Sequence, residues 1–266
     1  MSESLKGRFE TLYSTQWTLA ECREAFDYTL DDFLYFGGYP GAAALRTDEA
    51  RWYDYLQGSI IESTLAQDVL EMEAVRKPAV LRALFEVGAV YSAQEISYRK
   101  LLGQLDDKGN TDTTAHYLEL LSMAGLLTGL KKYDDKLMRA KSSSPRLLVH
   151  DTALMTVASG EGRRLLLEDR DWRGHVVETA VGAYLLGRAR REHFQVSWWR
   201  EGSKEVDFVV SQGRRRTAIE VKSGRVKGLG GLGAFVQEYP GTYALVVGSE
   251  VFPVEDFLLG RVPLFQ

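Results

Sequence analysis

From Arg216 to Lys222 the chain alternates between apolar and charged positions, and a period of two sends Ile219 and Val221 to one face of a strand and Glu220 and Lys222 to the other. Upstream, Glu205-Val206-Asp207-Phe208-Val209-Val210 reads as a second strand, and the polar turn Ser211-Gln212-Gly213-Arg214 joins the two as a hairpin. Such a hairpin puts Asp207 and Glu220 on neighbouring strands. Before it, Trp172 to Leu186 reads as an apolar helix that carries Glu178, a carboxylate that is costly there without a partner.

The pattern changes along the chain. The first third is helical: Thr18-Leu19-Ala20-Glu21 has the capping-box spacing, and Thr47 before Asp48 and Glu49 opens a long helical segment to about Ala66. In the middle third, Pro78 opens a helix to about Val87, Ser92-Ala93-Gln94-Glu95 is the capping signal of a second, and Thr111 to about Ala124 forms a third. Two strands, Leu126 to Tyr133 and Arg146 to His150, complete the organisation of a winged helix. Its third helix offers Asp112, Thr113, Thr114, His116 and Glu119, with no Arg or Lys, so the wing residues Lys131, Lys132, Arg139 and Lys141 are the better nucleic-acid contacts.

Composition adds limits more than identity. The 266 residues leave room for about two domains, and 45% hydrophobic content is enough for ordinary cores. The single Cys22 cannot pair internally. No signal peptide is read and no apolar run approaches the roughly 20 residues of a membrane helix, so a cytoplasmic protein without membrane attachment is the expectation. Residues 1–77 hold 7 Lys/Arg against 14 Asp/Glu, residues 78–150 hold 10 against 8, and residues 151–266 hold 16 against 15. Only the last two segments are candidates for polyanion contact, and their small excess argues against strong phosphate neutralisation. Arg225 and Lys227, just after the Glu-x-Lys strand, are the best-placed basic residues there.

Glu178, Asp207 and Glu220 make a hard oxygen donor set without cysteine, which suits Mg²⁺ or Mn²⁺. Phosphodiester hydrolysis needs such a cation and a group that orients water, a role open to Lys222. A Glu-x-Lys strand alone reads as a solvated face with cross-strand charge pairing. The neighbouring Asp207 and the upstream Glu178 shift the reading toward a metal site. Gly228-Leu229-Gly230-Gly231-Leu232-Gly233 matches a dinucleotide fingerprint, but no βαβ repeat surrounds it and it reads as a turn. Trp198 and Trp199 alternate, so at most one ring is free to stack on a base.

The order of helix Glu, strand Asp and strand Glu-x-Lys resembles the core of the PD-(D/E)xK nuclease superfamily, the restriction-endonuclease-like fold. With Phe36-Gly37-Gly38-Tyr39-Pro40, Thr114-x-x-Tyr117-Leu118-x-x-Leu121 and Pro145-Arg146-Leu147-Leu148-Val149-His150-Asp151, the chain is similar to the C-terminal region of prokaryotic AAA-type ATPases that carry a nuclease-like domain of unknown function. The resemblance implies Mg²⁺ (or Mn²⁺) on Glu178, Asp207 and Glu220, with Lys222 assisting the attacking water. The phosphate-cradling Gly-x-x-x-x-Gly-Lys-Ser/Thr loop of those ATPases does not occur, so no ATP site is expected in this chain.

The expected fold class is α+β or α/β. Residues 1–77 form a helical, lid-like remnant of an ATPase core, 78–150 a winged-helix-like domain, and 151–266 a restriction-endonuclease-like α/β domain with a central mixed sheet. Two functions stay open: a Mg²⁺-dependent nuclease-like module acting on nucleic acid, with DNA the expected substrate, or a non-catalytic nucleic-acid or protein interaction module of an ATPase. An ATPase partner or self-association is the expected protein contact.

Overall fold

The computed structural model describes residue 10 and residues 14–69, 75–104, 111–134, 144–224 and 228–266. Capping chemistry sets the first helices. Thr18 and Glu21 cap each other's backbone at the start of α1 (Leu19–Phe26), and Thr29 and Asp32 repeat the exchange at α2 (Leu30–Phe36). After α3 (Pro40–Ala43), Asp48 rather than Thr47 caps α4 (Glu49–Tyr55). The long helical segment expected to about Ala66 continues beyond α4 as two π-helical stretches, Leu56–Glu62 and Thr64–Val69.

The middle third holds α5 (Pro78–Val90), α6 (Tyr98–Gln104), α7 (Thr111–Met123) and an antiparallel pair, β1 (Leu127–Leu130) and β2 (Arg146–Val149). Ser92 does not cap α6. It is fully buried, where its hydroxyl accepts from the Val149 N–H at 3.2 Å and from the Thr179 hydroxyl at 2.9 Å. Tertiary bonding has taken the cap residue, and Ser97 receives the Lys100 N–H instead.

Asp151 caps α8 (Thr152–Ser159), which is sewn to α2 by Thr152 and Thr156 hydroxyls donating to Phe33 and Tyr35 carbonyls at 3.1 and 3.0 Å. Then come α9 (Arg163–Glu168) and α10 (Arg170–Glu192), followed by β3 (Gln195–Glu201), β4 (Lys204–Gln212) and β5 (Arg215–Val221) as an antiparallel meander. A crossover through α11 (Gly230–Glu238) brings β6 (Tyr243–Val247) parallel to β5, and α12 (Val254–Leu258) follows. The fold is α+β, with a mixed sheet ordered β3-β4-β5-β6.

The sheet is buried on both sides. Trp198, Phe208, Ile219 and Leu245 join the large core, in which Leu19, Leu118 and Val181 from distant parts of the chain also belong. Trp199, Val206, Val209 and Ala218 pack against Leu232 and Phe235 of α11. Each large apolar side chain so enclosed is worth roughly 1.5–3 kcal/mol. The two tryptophans face opposite sides, as their alternation requires, and both are buried. Gly230 to Gly233, expected as part of a turn, instead open helix α11, and the glycine at 231 has a packing reason: a Cβ there would lie 1.7 Å from the Glu205 carbonyl oxygen, so α11 meets β4 only through a bare backbone. Among the described residues, no helix is long and apolar enough to cross a membrane.

Candidate acidic site

Three elements converge at the edge of the large core. α10 supplies Glu178, β4 supplies Glu205 and Asp207, and β5 ends with Glu220, Val221 and then Lys222. The β3–β4 register shifts here: Ser197 stands opposite Val209 and Trp199 opposite Val206, so Asp207 and Phe208 together face Trp198 alone. This bulge breaks the simple alternation of β4 and re-aims the carboxylate. Asp207 Oδ2 accepts the Val221 N–H at 2.8 Å, and Lys222 Nζ pairs with Glu220 Oε1 at 2.5 Å. The structure therefore brings together the four residues that the sequence singles out.

The structure also adds a fifth residue. Arg146, the first residue of β2, has a side chain only 5% exposed, and its guanidinium lies among the acids. Nη1 donates to Glu205 Oε1 at 2.6 Å, Nη2 pairs with Glu178 Oε1 and reaches Asp207 Oδ1 at 3.4 Å, and Nε donates to the Ala93 carbonyl at 3.1 Å. The planar fork of donors suits several carboxylates at once. Around this centre, Arg200 pairs with both Glu205 and Glu95.

Charge does not balance inside the cluster. Glu95, Glu178, Glu205, Asp207 and Glu220 are five acids against the three bases Arg146, Arg200 and Lys222. Burial pushes Glu178 up to about 8 although Arg146 pulls the other way, and Asp207, Glu205 and Glu220 add to the rise. Burial, then Asp207, raise Glu220 to about 7 against the pull of Lys222. Asp207 also lies above its ordinary range, chiefly through burial. Burial works against the charge on Arg146, but Glu178, Asp207 and Glu205 outweigh it and hold the guanidinium protonated.

This arrangement bears on the expected Mg²⁺. Each of Glu178, Asp207 and Glu220 already faces a cation of the chain, and Asp207 also uses one oxygen on a backbone amide. Among the described residues, no three His, Cys, Asp or Glu side chains are grouped so as to hold a metal ion. As arranged, the donor set does not fit Mg²⁺ or Mn²⁺, because the Arg146 guanidinium lies between Glu178 and Asp207 where the ion's positive charge would be needed.

Of the expected nucleic-acid residues, the described part of the chain contains Lys131 and Lys132. Lys131 is exposed and Lys132 half-buried beyond β1, where the Trp198 N–H donates to the Lys131 carbonyl at 3.2 Å and the chain runs alongside β3. Arg225, Lys227, Arg139 and Lys141 lie outside the described residues. Sequence reasoning missed Arg146 as a site residue. The available signal was an arginine opening the otherwise apolar strand Arg146-Leu147-Leu148-Val149, because a buried guanidinium requires carboxylate partners.

Comparison with known proteins places these elements in families defined without a function. Residues 173–264, which carry Glu178, Asp207, Glu220 and Lys222, match the family described as "Domain of unknown function (DUF4143)". The chain is 28% identical over 230 residues to proteins of Mycobacterium bovis and Mycobacterium tuberculosis, each described as an uncharacterized protein, with 83% of this chain and 48% of each relative covered. The chain thus spans about half the length of the curated relatives it matches. No solved structure matches. Residues 27–164, more than half of the chain, match the family described as "Domain of unknown function (DUF8612)", and the chain belongs to that family.

Proposed function

We propose that this protein is a non-catalytic interaction module with a nuclease-like architecture, the docking or regulatory part of a larger ATPase assembly. The single observation that carries the reading is Arg146. Its guanidinium pairs with Glu178, Glu205 and Asp207 from within the chain, while Lys222 is engaged with Glu220. A lysine held by a carboxylate and acids held by an arginine form a cross-braced corner joining β2, α10, β4 and β5. Breaking such a buried network costs stability, whereas keeping it fixes how the elements meet.

The ATPase connection is supported by the sequence resemblance. Nucleic acid, with DNA the first candidate, would be met through Lys131 and Lys132, and through Arg225 and Lys227 beyond the strand end.

A second reading, phosphodiester hydrolysis with Mg²⁺ or Mn²⁺, is favoured by one observation: Asp207, Glu220 and Lys222 stand together on adjacent strands as that chemistry requires. Labelled single- and double-stranded DNA and RNA incubated with Mg²⁺ or Mn²⁺ separate the two. The interaction reading expects no cleavage by the folded wild type. Cleavage that is lost in both Lys222→Ala and Glu220→Ala would replace it with the hydrolytic reading.

A further inference from the structure

We infer that Arg146 is the built-in cation of this acidic cluster and that it holds the site against divalent ions: take the guanidinium away, and Glu178, Asp207 and Glu220 become a site for a hard divalent cation. The inference rests on the interaction reading of the cluster and adds to it the residue that determines the absence of metal chemistry.

Three observations support it. First, the guanidinium is central, with its two terminal nitrogens meeting carboxylates from α10 and β4. Second, it is fixed from behind. Nε donates to the Ala93 carbonyl, Ala93 N–H donates to the Leu147 carbonyl at 2.8 Å, and β2 is held by β1 along its length, so the head group is set by backbone and not by a mobile stem. Third, Glu178, Glu205 and Asp207 all turn toward this one guanidinium, so three carboxyl groups share a single fixed positive charge. Removing that positive charge from a buried set of oxygen donors leaves carboxylates that a small divalent ion satisfies better than water does. Arginine is suited to the opposite task, since it stays charged and cannot be displaced by losing its proton.

Mn²⁺ added to purified full chains tests this, with calorimetric binding and thermal melting as readouts. Wild type is expected to give no saturable isotherm and an unchanged melting temperature. Arg146→Met, with its acids stranded, is expected to bind Mn²⁺ in a saturable manner and to gain about 5 °C or more in melting temperature at saturating ion. Adding Glu178→Gln and Asp207→Asn to Arg146→Met should abolish that response. Because Arg146→Met can fail to fold, Arg146→Gln combined with Glu205→Gln provides a second route: one acid leaves with the base, and the three ligand positions Glu178, Asp207 and Glu220 remain. It should bind Mn²⁺ at least about tenfold tighter than wild type. Equal Mn²⁺ affinity in wild type and the second variant would overturn the inference, as would saturable Mn²⁺ binding by wild type. Failure here with no cleavage by wild type would leave the interaction reading standing, so the two fail separately.

Discussion

Asp151 accepts a hydrogen bond from the Gly38 N–H at 2.8 Å, joining residues 113 apart in sequence. The other oxygen of the same carboxylate accepts the Ala153 N–H at 2.8 Å and so caps α8. Gly37 makes the approach feasible. Its φ is +69°, and a Cβ there would lie 1.8 Å from Asp151 Oδ1. The motifs Phe36-Gly37-Gly38-Tyr39-Pro40 and His150-Asp151 are thus two halves of one joint between the N-terminal helices and α8.

We expect Gly37→Ala and Asp151→Ala each to destabilise the protein by roughly 2–4 kcal/mol, through the positive φ and the collision in the first case and through two unsatisfied buried amides in the second. Urea unfolding midpoints measure this. A loss below about 0.5 kcal/mol for both would show that the joint does not hold the helices.

Stability should fall as pH rises from acid to mildly alkaline. Glu178 titrates at about 8, Glu220 at about 7 and buried Asp151 at about 7, all above the ordinary carboxylate range. Between the ordinary and the folded values, the folded state therefore binds more protons than the unfolded state. The contribution of these groups is fully present below the ordinary carboxylate pKa and is lost as pH passes through about 7 to 8. Unfolding free energies measured at pH 5 and pH 8.5 check the sign, and a rise toward pH 8.5 would contradict it.

Two glycines of α11 should respond in opposite directions. Gly231→Ala forces a methyl group against the Glu205 carbonyl and should cost more than about 1 kcal/mol. Gly233 has nothing within 4 Å of a built Cβ, so Gly233→Ala should gain roughly 0.5–1 kcal/mol from helix propensity alone. Thermal melts of the two variants decide it, and equal shifts would contradict the packing of α11 on β4.

Much of the site is legible in the sequence because its cues are local. Alternation places Glu220 and Lys222 on one side of β5, and the structure pairs them. The two-residue turn at Gly213 and Arg214, with Gly213 at φ +60°, lies within the expected polar turn and brings Asp207 beside β5. What was illegible depends on distance. Val206 to Val210 is nearly continuous in apolar character, so the bulge that re-aims Asp207 leaves no alternation to read. Ser92 looks like a cap by spacing, yet Val149 and Thr179 claim its hydroxyl. Arg146 meets acids 32 to 61 residues away, and nothing in a local window indicates which carboxylates those are.

Arg146→Met should destabilise the protein by about 3–5 kcal/mol at pH 8.5, above the values at which Glu178 and Glu220 ionise, because the charges that it leaves behind remain buried. The deficit should shrink at pH 5, where Glu178 and Glu220 are protonated. Urea titrations at the two pH values measure the difference, and a deficit that grows in acid would contradict the assigned pairing.

The most direct test of the account is whether Mg²⁺ or Mn²⁺ can reach the carboxylates past Arg146. Guanidinium ¹⁵N–¹H resonances report this, with that of Arg146 assigned by its loss in Arg146→Lys. A slowly exchanging Arg146 signal is expected, one that millimolar Mg²⁺ does not shift and substoichiometric Mn²⁺ does not selectively broaden. A saturable Mg²⁺ shift, or selective broadening of that resonance by Mn²⁺, would contradict it and return the site to metal chemistry.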